Sequence, residues 1–222
     1  MPVEIDRIIR SKRRTLTLIV EDDGSLTVRA PLRISAMKIH EFVDSHALWI
    51  EKKRAQARTV ISSPPKQFVP GEAFLYLGQS YALEVVKGQK KALLLDGNFK
   101  LAEQAQGIAQ KTFQDWYRKQ ARKLITEHVN LFAEKYDFQY KKIRISSART
   151  RWGSCSPSGT LSFSWRLVLT PMEVVDYVII HELVHTVVHN HSKRFWKRVE
   201  KILPDYKEYN KWLRKNGRDG ML

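Results

Sequence analysis

A chain of 222 residues, 43% hydrophobic with six tryptophans, is long enough for one substantial core or two modest ones, which excludes a disordered polymer. Lysine and arginine outnumber acidic residues 39 to 23, a formal charge of +16, so the surface should attract polyanions and do so less as salt rises. No apolar run could span a bilayer, Met1-Pro2-Val3-Glu4-Ile5-Asp6-Arg7 has no signal-peptide pattern, and Cys155 is the only cysteine; a cytoplasmic protein without an internal disulfide is expected.

Up to about residue 86 the chain reads as β-rich with one helical insert. Strand signals over 15–20 and 26–30 flank Asp22-Asp23-Gly24, a good hairpin turn. Ser35 can cap a helical stretch carrying Ile39, Phe42, Val43, Leu48, Trp49 and Ile50 and running into Lys52-Lys53-Arg54, after which Ser62-Ser63-Pro64-Pro65 reads as a loop. Short strands follow over 74–77 and 81–86 about Gly78-Gln79. Another pair, over 93–95 and 99–101, flanks the turn Asp96-Gly97-Asn98.

Phe113, Trp116, Leu124, Ile125, Val129 and Phe132 recur at helical spacing and predict a long amphipathic helix over 110–135, with its exit at Asp137. Strands are expected over 143–147 and 160–167, the second from Leu161, Phe163 and Trp165 alternating with Ser162, Ser164 and Arg166. Thr170-Pro171-Met172-Glu173 reads as a capping box that opens a helix apolar on nearly all sides from Val174 to Val188, and such a helix belongs at the centre of a domain. Last come helices over 193–203 and 205–215, broken by Pro204 and stopped near Gly217. The expected division is a β-rich accessory domain over 1–105 and an α+β catalytic domain over 106–222, with the long helix behind the apolar one.

That apolar helix carries His181-Glu182-Leu183-Val184-His185, followed by His191. At about 100° per residue, His181 and His185 project from nearly one face and can converge on one ion, while Glu182 can reach a metal-bound water as general base. A catalytic zinc takes about three protein ligands and keeps one position open, and His191 is the natural third. On an unbroken helix His191 would lie roughly 15 Å further on and about 80° round, so the helix must end between His185 and His191. Asn190, which tolerates left-handed backbone, and Ser192, a good cap for a new helix, make a reversal there chemically reasonable. The spacing is that of the metzincin triad, with Val188 where those enzymes place a turn glycine. His189 is read as a surface histidine or one supporting the site from outside. Ionisable groups inside an apolar helix are costly without a partner, which favours a metal over chance spacing.

Arg151-Trp152-Gly153-Ser154-Cys155, the stretch from Leu161 to Leu167, Val175-Asp176-Tyr177, the three histidines and Phe195-Trp196 together resemble the YgjP-like metal-dependent hydrolases, a zincin family related to the WLM and SprT-like metalloproteases. The likeness is dense from Arg151 to Trp196. It is looser over Ser11-Lys12-Arg13-Arg14, Val28-Arg29-Ala30-Pro31 and the segment from Gly71-Glu72 to Leu77-Gly78. It implies a zincin-like domain holding one zinc ion on His181, His185 and His191, with Glu182 as catalytic base; Val188 departs from relatives that carry histidine there.

The leading reading is therefore a zinc-dependent, metallopeptidase-like hydrolase acting on a peptide or protein, for which the 160–166 strand is a candidate docking edge. Arg149, Arg151, Tyr206 and Tyr209 are candidate oxyanion donors, and Cys155 is read as a small packed residue. Basic clusters at Arg7, Arg10, Lys12, Arg13 and Arg14, at Arg118, Lys119, Arg122 and Lys123, and at Arg144, Arg149, Arg151 and Arg166 support two alternatives. One is a nucleotide pyrophosphatase acting on a nucleoside triphosphate at the same metal. The other is a basic protein associated with nucleic acid.

Overall fold

The structure is a computed structural model that describes residues 3–21, 23–59, 66–149 and 151–216. Asp22 of the first expected turn, the Ser62-Ser63-Pro64-Pro65 loop and the stop at Gly217 lie outside the described residues. The chain divides into two compact units, residues 1–63 and 64–222.

In the first unit, β1 (Arg7–Ser11) runs parallel to β3 (Leu26–Pro31), and β2 (Thr17–Val20) pairs antiparallel on β3's other side. Alternation puts Leu26, Val28 and Ala30 on one face, against Ile39 and Val43 of α1 (Ala36–Asp44) and Ile50 of α2 (Ala47–Thr59). Ser35 caps α1 by accepting from the Lys38 amide. One helix was expected here, but the chain breaks at Ser45 and His46, where the Ser45 hydroxyl and the His46 ring both turn back to the Phe42 carbonyl. β1 was not foreseen. Part of its basic character is structural, since the Arg10 guanidinium donates to the carbonyls of Pro31, Leu32 and Ile34.

The second unit holds two sheets and four helices among the described residues. β4 (Ala73–Tyr76), β5 (Gln79–Val86), β6 (Leu93–Asp96) and β7 (Asn98–Ala102) form a mixed sheet in the order β4-β5-β7-β6. α3 (Ala109–Tyr136) buries Ala109, Phe113, Tyr117, Ala121, Ile125, Val129 and Ala133, one residue in every four. Because a helical turn takes 3.6 residues, that stripe winds round the helix, so the two halves of α3 face different partners. Its first half interlocks with the four-stranded sheet through Phe74, Phe99, Phe113 and Tyr117, and the Tyr117 hydroxyl donates to the Leu75 carbonyl at 2.7 Å. Its second half meets α4 (Met172–His185), where the His128 ring lies 2.7 Å from the Asp176 carboxylate. α3 exits at Asp137, which adopts left-handed backbone. The division expected near residue 105 thus falls earlier, because the strands between Ala73 and Ala102 share one hydrophobic core with α3 and α4.

The second sheet has β10 (Thr160–Ser164) at its centre, parallel to β8 (Lys142–Ser146) and antiparallel to β9 (Gly153–Cys155). The strand expected as far as residue 167 stops at Ser164, where a 3-10 turn over Trp165–Leu169 takes over and buries Trp165, Leu167, Val168 and Leu169. α4 is buried on all sides, as its composition requires. Its capping box does not form: Pro171 is the N-cap, and the Thr170 hydroxyl donates instead to the Leu167 carbonyl. α5 (Lys193–Ile202) and α6 (Tyr206–Asn216) complete the unit. No described helix is long and apolar enough to cross a membrane.

The entry to α4 is fixed by a close approach. Gly78 has φ +77°, and a Cβ there would stand 2.9 Å from the Cα of Pro171. Gly97, with φ +69°, has open space around the same position. Gly97→Ala should therefore cost about 1 kcal/mol, the backbone strain alone, and Gly78→Ala on the order of 2 kcal/mol more, in urea unfolding followed by tryptophan fluorescence. Equal losses would mean that the Gly78 contact carries no weight.

Candidate metal centre

His181 and His185 lie one turn apart on α4, which ends at Thr186. The chain then reverses, and His191 returns its ring to theirs just before α5. The three Nε2 atoms form a nearly equilateral triangle, with separations of 3.0, 3.1 and 3.2 Å. The reversal uses no left-handed residue: neither Val188 nor Asn190 has positive φ, so a β-branched valine fits where a glycine would be needed for the tighter turn. Asn190 contributes a side-chain oxygen that accepts weakly from the Ser192 amide. Ser192 is the N-cap of α5, without a side-chain bond of its own.

Val188 has a positive role. Its side chain is buried, and its carbonyl accepts from His185 Nδ1 at 3.1 Å. That bond places the ring proton on Nδ1 and leaves the Nε2 lone pair aimed into the triangle. Fully buried Phe195 of α5 backs all three imidazoles, with ring centroids 4.9, 4.5 and 4.9 Å from those of His181, His185 and His191. Trp196 stacks on His191 at 5.6 Å, and Tyr177, one turn before His181, lies 5.9 Å from it.

The donor set suits a divalent cation of the zinc type. The nitrogen spacings are close to the roughly 3.3 Å that separates two ligands in a tetrahedral site with bonds of 2.0–2.1 Å. Burial, and then the neighbouring His185 and His191, push the His181 imidazole down to about 3, so it stays neutral and able to donate its lone pair. Burial likewise lowers His185. His181 Nδ1 is buried without a hydrogen-bond partner.

Glu182 is 6% exposed, and burial pushes its carboxyl up to about 8 against the opposing pull of Arg151. β9 runs directly over it: a Cβ on Gly153 would stand 2.6 Å from Glu182 Oε1. Gly153 is therefore the residue that admits the carboxylate, a role whose one local signal is the glycine itself. Cys155, half-buried on the same strand, is held as a thiol by burial and by the nearby Glu182 charge. His189 is exposed, in keeping with a surface role.

The remaining candidates are dispersed. Of the four candidate oxyanion donors, Arg151 acts on Glu182, Tyr209 packs 6.4 Å from Tyr177, and Tyr206 stacks on Trp196. Arg149 faces Arg166 instead, and Arg118 and Arg166 both donate to Ser147, Arg166 also covering the Trp165 ring at 4.4 Å. The 160–166 strand is not an edge, because β10 is paired on both sides; the edge strand beside Glu182 is β9.

The shifts of Glu182 and His181 change stability in opposite directions with pH in the metal-free protein, over windows that overlap. Glu182, raised from 4.5, gives stability that is complete below pH 4.5 and is lost as pH rises through about 8. His181, lowered from 6.5, gives stability that is complete above 6.5 and is lost as pH falls towards about 3. Glu182→Gln should abolish only the first. The stability advantage of chelator-treated Glu182→Gln over wild type in urea unfolding should grow between pH 4.5 and 8; an advantage that does not change with pH would contradict the burial argument.

A family model described as "YgjP-like, metallopeptidase domain" matches residues 14–216. No curated protein sequence matches the chain significantly. Among solved structures, the metallopeptidase zymogen of Pyrococcus abyssi abylysin is 24% identical with a TM-score of 0.39, over 43% of this chain and 97% of its own. The metallopeptidase zymogen of Methanocaldococcus jannaschii jannalysin is 21% identical with a TM-score of 0.38, over 41% of this chain and 95% of its own. With a family match that spans nearly its whole length, this α+β chain belongs to the YgjP-like metallopeptidase-domain family.

Proposed function

We propose that the chain is a metal-dependent hydrolase of peptide bonds, with one zinc ion held by His181, His185 and His191 and with Glu182 as general base. The observation that carries this reading is the convergence of three Nε2 atoms, with the next residue after His181 a buried glutamate that forms no ion pair among the described residues. A divalent ion held by these three histidines would supply Lewis acidity and would make a water more acidic.

The chain's own groups do the rest. Glu182, buried and poised near neutral pH, accepts a proton from the attacking water and can return it to the leaving amine. Phe195 and the Val188 carbonyl keep the imidazoles in one orientation, so no reorganisation is needed as charge develops. The outer edge of β9 offers unpaired backbone groups next to Glu182, where an extended peptide can add as a further strand. That geometry favours a peptide over a nucleotide, and two of the clustered arginines, Arg118 and Arg166, already bond Ser147.

The test is to assay zinc-loaded wild type, Glu182→Gln and Gly153→Ala in parallel on a quenched-peptide library and on nucleoside triphosphates. Peptide cleavage should fall by about 10²-fold or more in Glu182→Gln, and substantially in Gly153→Ala, while both variants keep one zinc per chain. Nucleotide turnover lost with Glu182, and no peptide cleavage, would replace this reading with phosphoanhydride hydrolysis. Loss of neither activity with Glu182 would remove it as the base.

A further inference from the structure

Residues 207, 210, 211 and 214 follow the spacing that puts four side chains on one face of a helix, and in α6 they are Lys207, Asn210, Lys211 and Arg214. The other face, with Tyr206, Tyr209 and Leu213, packs onto the core. The basic face borders an open cleft of about 460 Å³, whose walls are these four residues with Trp196 and Tyr206. Lys207 leans on Glu200 at 3.5 Å, with both side chains largely in solvent. Lys211 and Arg214 meet no carboxylate among the described residues. Two uncommitted cations, an amide and a stacked pair of aromatic rings therefore share one concavity.

The cleft adjoins the imidazole triangle. Trp196 stacks on the His191 ring at 5.6 Å and on the Tyr206 ring at 5.3 Å, nearly parallel to both. Arg214 also acts on the Tyr177 hydroxyl, beside His181. Two ring spacings correspond to about three residues of extended chain at roughly 3.3 Å each.

We propose that this cleft is a carboxylate-binding subsite, which takes an acidic side chain or the terminal carboxylate of a peptide about two or three residues from the bond cleaved at the triangle. The inference rests on the peptidase reading for its register, but not for the binding itself. The Trp196 and Tyr206 rings receive the methylenes of a glutamate, while Lys211 and Arg214 receive its charge and Asn210 supplies a neutral donor. The volume exceeds what a bare carboxylate needs and suits a side chain with part of its backbone.

The test uses one library of quenched octapeptides in which each position in turn is Glu, Gln or Lys, made with free and with amidated C-termini. It is read in two ways: as cleavage by zinc-loaded wild type, and as retention on immobilised, zinc-loaded Glu182→Gln protein. A Lys211→Glu/Arg214→Glu pair of changes is introduced into each background. The proposal expects Glu to be preferred over Gln at one position by roughly tenfold, in both readouts, with the preference shrinking in high salt and passing to Lys in the doubly changed protein. Preference confined to free C-termini would assign the cleft to the terminal carboxylate; preference kept in amidated peptides would assign it to a side chain. Glu-selective retention without any cleavage supports the subsite while removing the peptidase reading. Cleavage without a Glu preference, or retention that the double change leaves as it was, overturns the subsite whatever becomes of the activity.

Discussion

Three imidazole nitrogens held 3.0 to 3.2 Å apart set the constraint on which the second unit depends. Three atoms make three mutual contacts, and because each neutral ring presents either an N–H or a lone pair at Nε2, at least one contact must set like against like, in a partly buried place where protonating a ring is costly, as the depressed His181 shows. A cation resolves all three contacts at once. What holds the rings together without one is packing: Phe195 behind them, the Val188 carbonyl on His185, and the Trp196 ring on His191. The site is preorganised by α4 and α5 from opposite ends of a short reversal, and rigid elements position ligands better than loops do.

The same economy governs Glu182. A carboxyl inside a helix buried on all sides is expensive, and only the absence of a side chain at Gly153 makes room for it under β9. The strand over the carboxyl is at once its roof and an edge of the second sheet. Burial that raises the carboxyl's proton affinity makes it a destabilising group once it ionises in the metal-free protein.

Much of this was legible in the sequence because its signals are local. The histidine spacing dictated a helix, a break and a return, and the apolar surround of residues 174 to 188 dictated burial. Asp137 and Ser35 marked helix ends through side-chain and backbone preferences that hold in any context. The misreadings arose where distant partners decide. The alternation of Leu161, Phe163 and Trp165 suited a strand up to residue 167, but Trp165 turns away to stack on Tyr117, and the chain tightens into a 3-10 turn. Thr170 had the chemistry of a cap, but its hydroxyl goes back to the Leu167 carbonyl, which also accepts its amide. The boundary expected near residue 105 failed to count Phe74 and Phe99 as neighbours of Phe113, contacts that no local pattern reveals. Gly153 and Val188 owe their roles to residues 29 positions and three positions away, visible only once the chain has folded.

X-ray absorption at the zinc edge, on protein loaded with one equivalent of the metal, tests the central claim most directly. The account predicts about three imidazole nitrogens and one oxygen at roughly 2.0–2.1 Å, with no sulfur, and a first shell that loses one imidazole in His191→Ala. A sulfur scatterer near 2.3 Å, or a shell that His191→Ala leaves unchanged, would show that the metal sits elsewhere and that the triangle of imidazoles is not its seat.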